Sequence, residues 1–319
     1  MKDTAMNMNI HERTLALIGA EIGEGASDAG CKWGAQALRE RGLAEHLSRA
    51  NRLAHWAGMV RAQAPHQPAD RLRAVERFSV ELARRVRGQA EGGALPVVLG
   101  GDHSCAVGTW SAMADLWRPR GDIGLVWVDA HLDAHTPASS PSGAPHGMPV
   151  AALLGHGTPG LTSLYGWAGK IQPDNLVIIG ARSFEAGEQA LLTSLGVRVM
   201  YMPEVAQRGF GACWAEAVAQ VRRHTVVWGL SFDLDALDPA DAPGTGTPVD
   251  AGIRLADALR ALRGCAADPA CAALEVTEYN PQHDAGGRTA QAAFALLAAM
   301  TECERESVGV RAGCRPCLA

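Results

Sequence analysis

The chain has 319 residues, 47% of them apolar and 20% charged, with a formal net charge of −5 at pH 7. That apolar fraction can bury a large core and excludes a disordered chain; the lack of a glycine period excludes a collagen-like one. The mild acidity, with no run of Lys or Arg, argues against a nucleic-acid partner.

Met1 to Asn9 is polar and lacks the apolar stretch of an export signal. No apolar run approaches the ~20 residues that cross a bilayer, so no membrane partner is expected. Eight cysteines, at 31, 105, 213, 265, 271, 303, 314 and 317, follow no framework spacing. The expectation is therefore reduced thiols and a cytoplasmic location. Cys314 and Cys317 form one CxxC without a second pair, weak ground for a zinc or redox site.

Thr14–Gly19 reads as a first buried strand, short, β-capable and closed by glycine. Helical spacing follows at Gly34–Glu40 and more strongly at Leu72–Arg87. Strands are expected at Leu95–Leu99, Asp122–Val128, Leu176–Ile179, Val197–Met202, Thr225–Leu230 and Ala272–Val276. Helical segments fall between most of them, at Gly187–Ser194, Ala212–Arg223, Ala256–Arg263 and, after the last strand, Arg288–Ala299. Continuous apolar strands spaced by helices predict an α/β fold: a central parallel sheet covered on both faces, three layers deep. No linker or repeat divides the chain. The expectation is one domain over 13–303, with a flexible N-terminal tail at 1–12 and a C-terminal tail at 304–319. Thr136–His146, rich in Ser, Pro and Gly, reads as an ordered functional loop.

The informative residues stand where strands stop. Gly100-Gly101-Asp102-His103-Ser104 follows Leu99, and Asp129-Ala130-His131-Leu132-Asp133-Ala134-His135 follows Val128. Ser231-Phe232-Asp233-Leu234-Asp235 follows Leu230, and Thr277-Glu278 follows Val276. Sites in open parallel sheets lie outside the carboxyl ends of the strands, so four strands deliver acids and imidazoles to one edge. Asp129, His131 and Asp133 alternate, and an extended segment would point them the same way; Asp233 and Asp235 repeat that spacing. Two imidazoles (His103, His131) and four carboxylates (Asp129, Asp133, Asp233, Asp235) oversupply one ion and would repel one another without a cation. Two divalent ions ~3.5–4 Å apart, bridged by two carboxylates, use all six ligands and acidify the solvent between them. Mixed imidazole and carboxylate suits Mn²⁺, with Co²⁺, Ni²⁺ or Zn²⁺ as alternatives. Blander readings fit other residues. Asp102 reads as a cap, Asp238-Pro239 as a turn, and His55, His66 and His224 as surface or core histidines.

These residues resemble the ureohydrolases, the arginase and agmatinase family. The resemblance is carried by Gly-Gly-Asp-His-Ser (100–104), Asp-Ala-His-Leu-Asp-Ala-His (129–135), Ser-Gly-Ala-Pro-His-Gly-Met-Pro (142–149), Ser-Phe-Asp-Leu-Asp-Ala-Leu-Asp-Pro (231–239) and Pro-Gly-Thr-Gly-Thr-Pro (243–248). It runs from about Leu15 to Ala299. It implies a binuclear manganese enzyme of three-layer fold, two Mn²⁺ per subunit, that hydrolyses a guanidinium group to urea and an amine. Carried over, His103, Asp129, Asp133 and Asp233 hold one ion; His131, Asp129, Asp233 and Asp235 hold the other, with Asp129 and Asp233 as bridges. His146, Glu278 and Asp133 become the catalytic residues, His146 shuttling a proton and Glu278 pairing with the guanidinium. A carboxylate is the natural partner of that planar donor fork, and an imidazole titrating near neutrality can protonate a leaving amine. A homo-oligomer, trimer or hexamer, is implied by the same analogy.

Substrate-binding positions follow the same resemblance: His135, Ser142, Glu185, Thr247 and Glu278. Thr247 either orients Glu278 or the substrate, or serves the turn alone. His135 stands where arginases commonly have Asn, Ala144 where they have a second Asn, Glu185 and Ser183 where they have Asp. Ser142 is retained. His146-Gly-Met-Pro with the following Ala-Ala-Leu-Leu-Gly looks more like arginases than agmatinases, which favours L-arginine. The alternatives are another guanidino hydrolase (agmatine, 4-guanidinobutyrate or N-hydroxyarginine), a one-zinc amide hydrolase of the related deacetylase branch, and a metal-binding protein without activity.

Overall fold

A computed structural model describes residues 13–49, 53–65, 67 and 70–302. The expected tails at 1–12 and 304–319, with Cys314 and Cys317, lie outside the described residues, as does His66. Among the described residues eight strands form one sheet: β1 Leu15–Glu21, β2 Ala54–Arg61, β3 Leu95–Leu99, β4 Ile123–Val128, β5 Leu176–Ile179, β6 Arg198–Met200, β7 Val227–Asp233 and β8 Cys271–Thr277. Their order across the sheet is β2-β1-β3-β8-β7-β4-β5-β6, and every pairing is parallel.

Successive side chains of a strand point to opposite faces, and the core divides accordingly. Val97, Leu99, Val126 and Val128 face one apolar cluster, shared with helices Phe210–Val221, Leu255–Leu262 and Arg288–Met300. Val98, Leu125 and Trp127 face the other, under helices Arg71–Glu91 and Ala106–Trp117. Both faces are covered, giving the expected three layers, and the carboxyl ends of β3, β4, β7 and β8 lie side by side in the middle of the sheet.

Several elements escape the periodicity reading, among them the short helices Pro149–Leu153, Pro159–Thr162 and Met202–Arg208. Strand β2 is half exposed and, among the described residues, an edge strand paired with β1 alone, so it lacks a continuous apolar run. The helix Ala106–Trp117 is buried at every position from Ala106 to Ala114, which leaves no amphipathic stripe to detect. The short helix Leu43–Arg49 shows only two turns of pattern. Strand β7 also runs on to Asp233, beyond the expected Leu230. Among the described residues, no helix is long and apolar enough to cross a membrane.

Candidate metal centre and catalytic pocket

The chain reaches the site by turns that sequence chemistry dictates. Strand β3 ends in Gly100 and Gly101, at φ +77° and +75°. A Cβ on Gly100 would lie 2.4 Å from the Ala35 amide nitrogen, and one on Gly101 2.6 Å from the Ala20 carbonyl oxygen, so only glycine fits. Asp102 then caps the short turn His103–Cys105, as expected: its side chain accepts the Ser104 amide at 3.1 Å and the Gly25 amide at 2.8 Å. That cap sets His103 over the sheet edge. Asp129 follows β4, with one oxygen on its own loop at the His131 amide (2.7 Å) and the other on the Trp127 indole N–H (2.8 Å). Asp233 ends β7 and accepts the Asp235 amide at 2.8 Å.

The carboxylates and imidazoles form two groups that share Asp129. In the first, His103 Nδ1 lies 3.2 Å from Asp129 Oδ2, 3.2 Å from Asp133 Oδ2 and 3.0 Å from Asp233 Oδ2. In the second, His131 Nδ1 lies 3.4 Å from Asp129 Oδ1 and 3.2 Å from Asp235 Oδ2. Asp129 thus turns one oxygen to each group. Asp233 belongs to the first group only, its other oxygen being engaged by the Asp235 amide. The expectation of an extended Asp129–Asp133 segment is corrected: Asp133 takes the left-handed conformation, φ +49°. That bend swings its carboxylate to His103 while His131 faces Asp235.

This donor set fits divalent cations. His103 Nδ1 is buried and makes no hydrogen bond, although three carboxylate oxygens surround it. Burial, reinforced by the Asp129 charge, pushes the Asp133 carboxyl up to about 6. Asp233 is pushed well above the carboxylate range by burial and then by Asp235 and Asp129. Burial also disfavours charged His103 and His131, but the surrounding carboxylates outweigh it and hold both imidazoles well above their ordinary value. Without an ion the cluster gathers protons instead. Four buried carboxylates need positive charge, and a cation coordinated by Nδ1 supplies it.

Beside this floor opens a cavity of about 230 Å³. Glu278 forms part of its wall and follows β8 at φ +62°, a conformation a non-glycine residue holds only when its surroundings impose it. Its Oε1 accepts the His103 amide at 2.9 Å and lies 3.1 Å from His146 Nδ1, while Oε2 accepts from Cys31 Sγ at 3.0 Å. Burial alone would raise Glu278, but the bonds from His146 and Cys31 bring it below the ordinary glutamate value. Burial likewise opposes charge on His146, and Glu278 outweighs it, raising the imidazole to about 9.

At the rim, His135 Nε2 lies 2.9 Å from Glu185 Oε2 and 3.3 Å from Glu188 Oε2, with Nδ1 3.2 Å from Ser139 Oγ. Ser142 Oγ accepts the Ala144 amide at 3.2 Å, and Thr247 donates to Asp235 Oδ2 at 3.0 Å rather than to Glu278. Glu188 is a residue the sequence reading misses. It accepts the Ala134 and Glu185 amides at 3.0 and 3.1 Å, and burial pushes it up to about 8. It closes a capping box with Glu185 at the helix start, but Glu-x-x-Glu lacks the Ser or Thr N-cap by which that motif is recognised in sequence. Cys31 and Arg182 are also unanticipated. The Arg182 guanidinium donates to the Asp235 carbonyl at 2.7 Å and to the Val249 carbonyl at 2.8 Å, tying the loop after β7 to the loop that carries Thr247.

An all-parallel sheet that gathers four carboxylates and two imidazoles into a cation-demanding cluster at its carboxyl edge defines an α/β protein with a candidate metal centre. A family model described as "Arginase family" matches residues 13–302. An arginase from Bacillus caldovelox is 36% identical over 295 residues, covering 90% of this chain and 98% of its own length. The crystal structure of an arginase from Bacillus cereus superposes with a TM-score of 0.85 at 35% identity, covering 92% of this chain and 99% of that one. A Trypanosoma cruzi formiminoglutamase variant shares the fold alone, at 22% identity and a TM-score of 0.74, covering 93% of this chain and 94% of its own. The chain belongs to the arginase family, hydrolases of C–N bonds in linear amidines.

Proposed function

We propose that this protein hydrolyses the guanidinium group of L-arginine to urea and L-ornithine, with two Mn²⁺ ions at the cavity floor. Asp129 carries the reading: its two oxygens face two separate ligand groups, beside a Glu278 held by His146. His103, Asp129, Asp133 and Asp233 would hold one ion and His131, Asp129 and Asp235 the other, with Asp129 shared; Asp233 would join the second as well once its other oxygen exchanges the Asp235 amide for the ion. Imidazole and carboxylate donors without thiolate suit Mn²⁺. When bound, the pair supplies an activated water for attack on the guanidinium carbon.

The chain's own residues do the rest. Glu278 meets the planar N–H fork of the substrate with a carboxylate fixed by the His103 amide and Cys31. His146 is protonated at neutral pH because Glu278 faces it. A guanidinium that takes Glu278 deprives His146 of that counter-charge, so the imidazole releases its proton more readily, to the leaving amine. At the rim, Ser142 and His135 would donate to the α-carboxylate and Glu185 would accept from the α-amine. Thr247 braces Asp235. A homo-oligomer, trimer or hexamer, in the cytoplasm completes the proposal.

One observation favours a second reading, a guanidine lacking a carboxylate. Among the described residues lining the cavity none is Lys or Arg, and Glu185 and Glu188 already engage His135. Urea release by Mn²⁺-loaded protein from L-arginine, agmatine, 4-guanidinobutyrate and N-hydroxy-L-arginine, assayed in parallel, tests both. A preference for L-arginine is expected. A preference for agmatine, the one substrate of the four without a carboxylate, overturns it in favour of the second reading; a preference for 4-guanidinobutyrate, which keeps a carboxylate but has no α-amine, or no urea from any of them, overturns both.

A further inference from the structure

Glu275 lies inside β8 with no solvent exposure, directly across from Ser231 of β7. Its Oε2 accepts from Ser231 Oγ at 2.7 Å and from the Trp110 indole N–H at 3.0 Å; its Oε1 accepts from Thr109 Oγ1 at 2.6 Å. Ser231 Oγ in turn lies 2.9 Å from His103 Nε2. A carboxylate only accepts, and a serine has one hydroxyl hydrogen. With that hydrogen given to Glu275, the Ser231 oxygen faces His103 as an acceptor, and the hydrogen in the second bond is the one on Nε2. A neutral imidazole protonated at Nε2 has its lone pair on Nδ1. That is the nitrogen which stands among Asp129, Asp133 and Asp233 without a hydrogen bond. Trp127 stacks on the same ring, centroids 4.0 Å apart and planes 13° from parallel, so the imidazole is held in plane as well.

We propose that Glu275 is a positioning residue of the metal centre: through Ser231 it fixes His103 in the Nε2–H tautomer and so presents Nδ1 to the ion. The proposal rests on reading His103 as a ligand. Reversing the relay makes Ser231 donate to His103, which strips Glu275 of a donor and puts a hydrogen on Nδ1 facing the cation. A partner that fixes ligand tautomer and orientation in this way is worth roughly 10–100-fold in metal affinity.

The same bonds to Thr109 and Trp110 also tie the helix Ala106–Trp117 to the sheet, so the test must separate positioning from simple support. Mn²⁺ dissociation constants are measured by calorimetric titration for the wild type, Glu275→Gln, Ser231→Ala and the double variant, with thermal midpoints of the metal-free proteins alongside. A glutamine offers one acceptor and one donor face in place of two acceptors. Each single variant is expected to bind Mn²⁺ roughly 10–100-fold more weakly. The double variant is expected to lose no more than the greater single loss, because both act along one path. Additive losses, or wild-type affinity with only a lowered thermal midpoint, overturn the proposal. Should Glu275→Gln not fold, Ser231→Ala decides alone: it leaves the Thr109 and Trp110 bonds in place, and wild-type affinity in it overturns the relay. Wild-type protein that binds no Mn²⁺ overturns the ligand reading and the relay together. The readout does not depend on which guanidine is hydrolysed.

Discussion

His146→Ala separates proton transfer from metal binding. The imidazole belongs to neither ligand group and touches the site through Glu278 Oε1 at 3.1 Å. Mn²⁺ content should therefore match the wild type, while kcat falls by ~10²–10⁴-fold, the usual loss for a general acid, or about 3–5 kcal/mol of barrier. Stability should change in a pH-dependent way. Glu278 raises the folded His146 from 6.5 to about 9 against the pull of burial. A group raised on folding stabilises fully below its unfolded pKa, and that contribution disappears as pH rises through the folded one. The interval from 6.5 to about 9 corresponds to about 3 kcal/mol. The gap in thermal midpoint between metal-free wild type and His146→Ala should be widest near pH 6 and narrow above pH 9. An unchanged kcat places the proton donor elsewhere, loss of Mn²⁺ makes His146 part of the metal centre, and a gap indifferent to pH refutes the ion-pair reasoning.

Asp129→Ala removes the one carboxylate common to both ligand groups; it should release both ions and abolish turnover, and full Mn²⁺ content by elemental analysis would exclude its bridging role. Glu185→Ala should reduce kcat/KM for L-arginine by roughly 10–100-fold, the worth of one charged hydrogen bond, and leave 4-guanidinobutyrate, which has no α-amine, nearly untouched. Equal losses would remove Glu185 from recognition. Gly100→Ala places a Cβ 2.4 Å from the Ala35 amide nitrogen at φ +77°. The left-handed conformation alone costs roughly 1–2 kcal/mol, the backbone contact adds to it, and a wild-type denaturation midpoint would contradict the geometry.

What the sequence made legible was local. Each metal-ligating candidate sits within a short run after a strand, and a strand that is apolar on both faces announces its own end. His103, Asp129, Asp133, Asp233, Asp235 and Glu278 could be gathered from four short runs because parallel topology brings strand ends to one edge. The edge strand β2 and the helix Ala106–Trp117 went unread for opposite reasons, one being too exposed to show a run and the other too buried to show a stripe. The bend at Asp133 was equally hidden, since nothing in Asp-Ala-His-Leu-Asp announces a left-handed residue.

The groups that hold the site in place were illegible because their partners are remote along the chain. Cys31 meets Glu278 across 247 residues, and Glu275 meets Thr109 across 166. Neither pair leaves a spacing to detect. A buried Glu in an otherwise apolar strand does leave a composition signal: a carboxylate surrounded by Leu274 and Val276 must have donors from elsewhere, and the cost of burying it unpaired obliges the fold to supply them. Here those donors are Thr109, Trp110, Ser231 and the Cys105 thiol, and through Ser231 that buried charge reaches His103 at Nε2, the ring nitrogen opposite the ligand one. The out-of-place polar residue in β8 was therefore the one pointer in the sequence to the wiring behind the site, and following it required only asking which hydrogens its carboxylate takes.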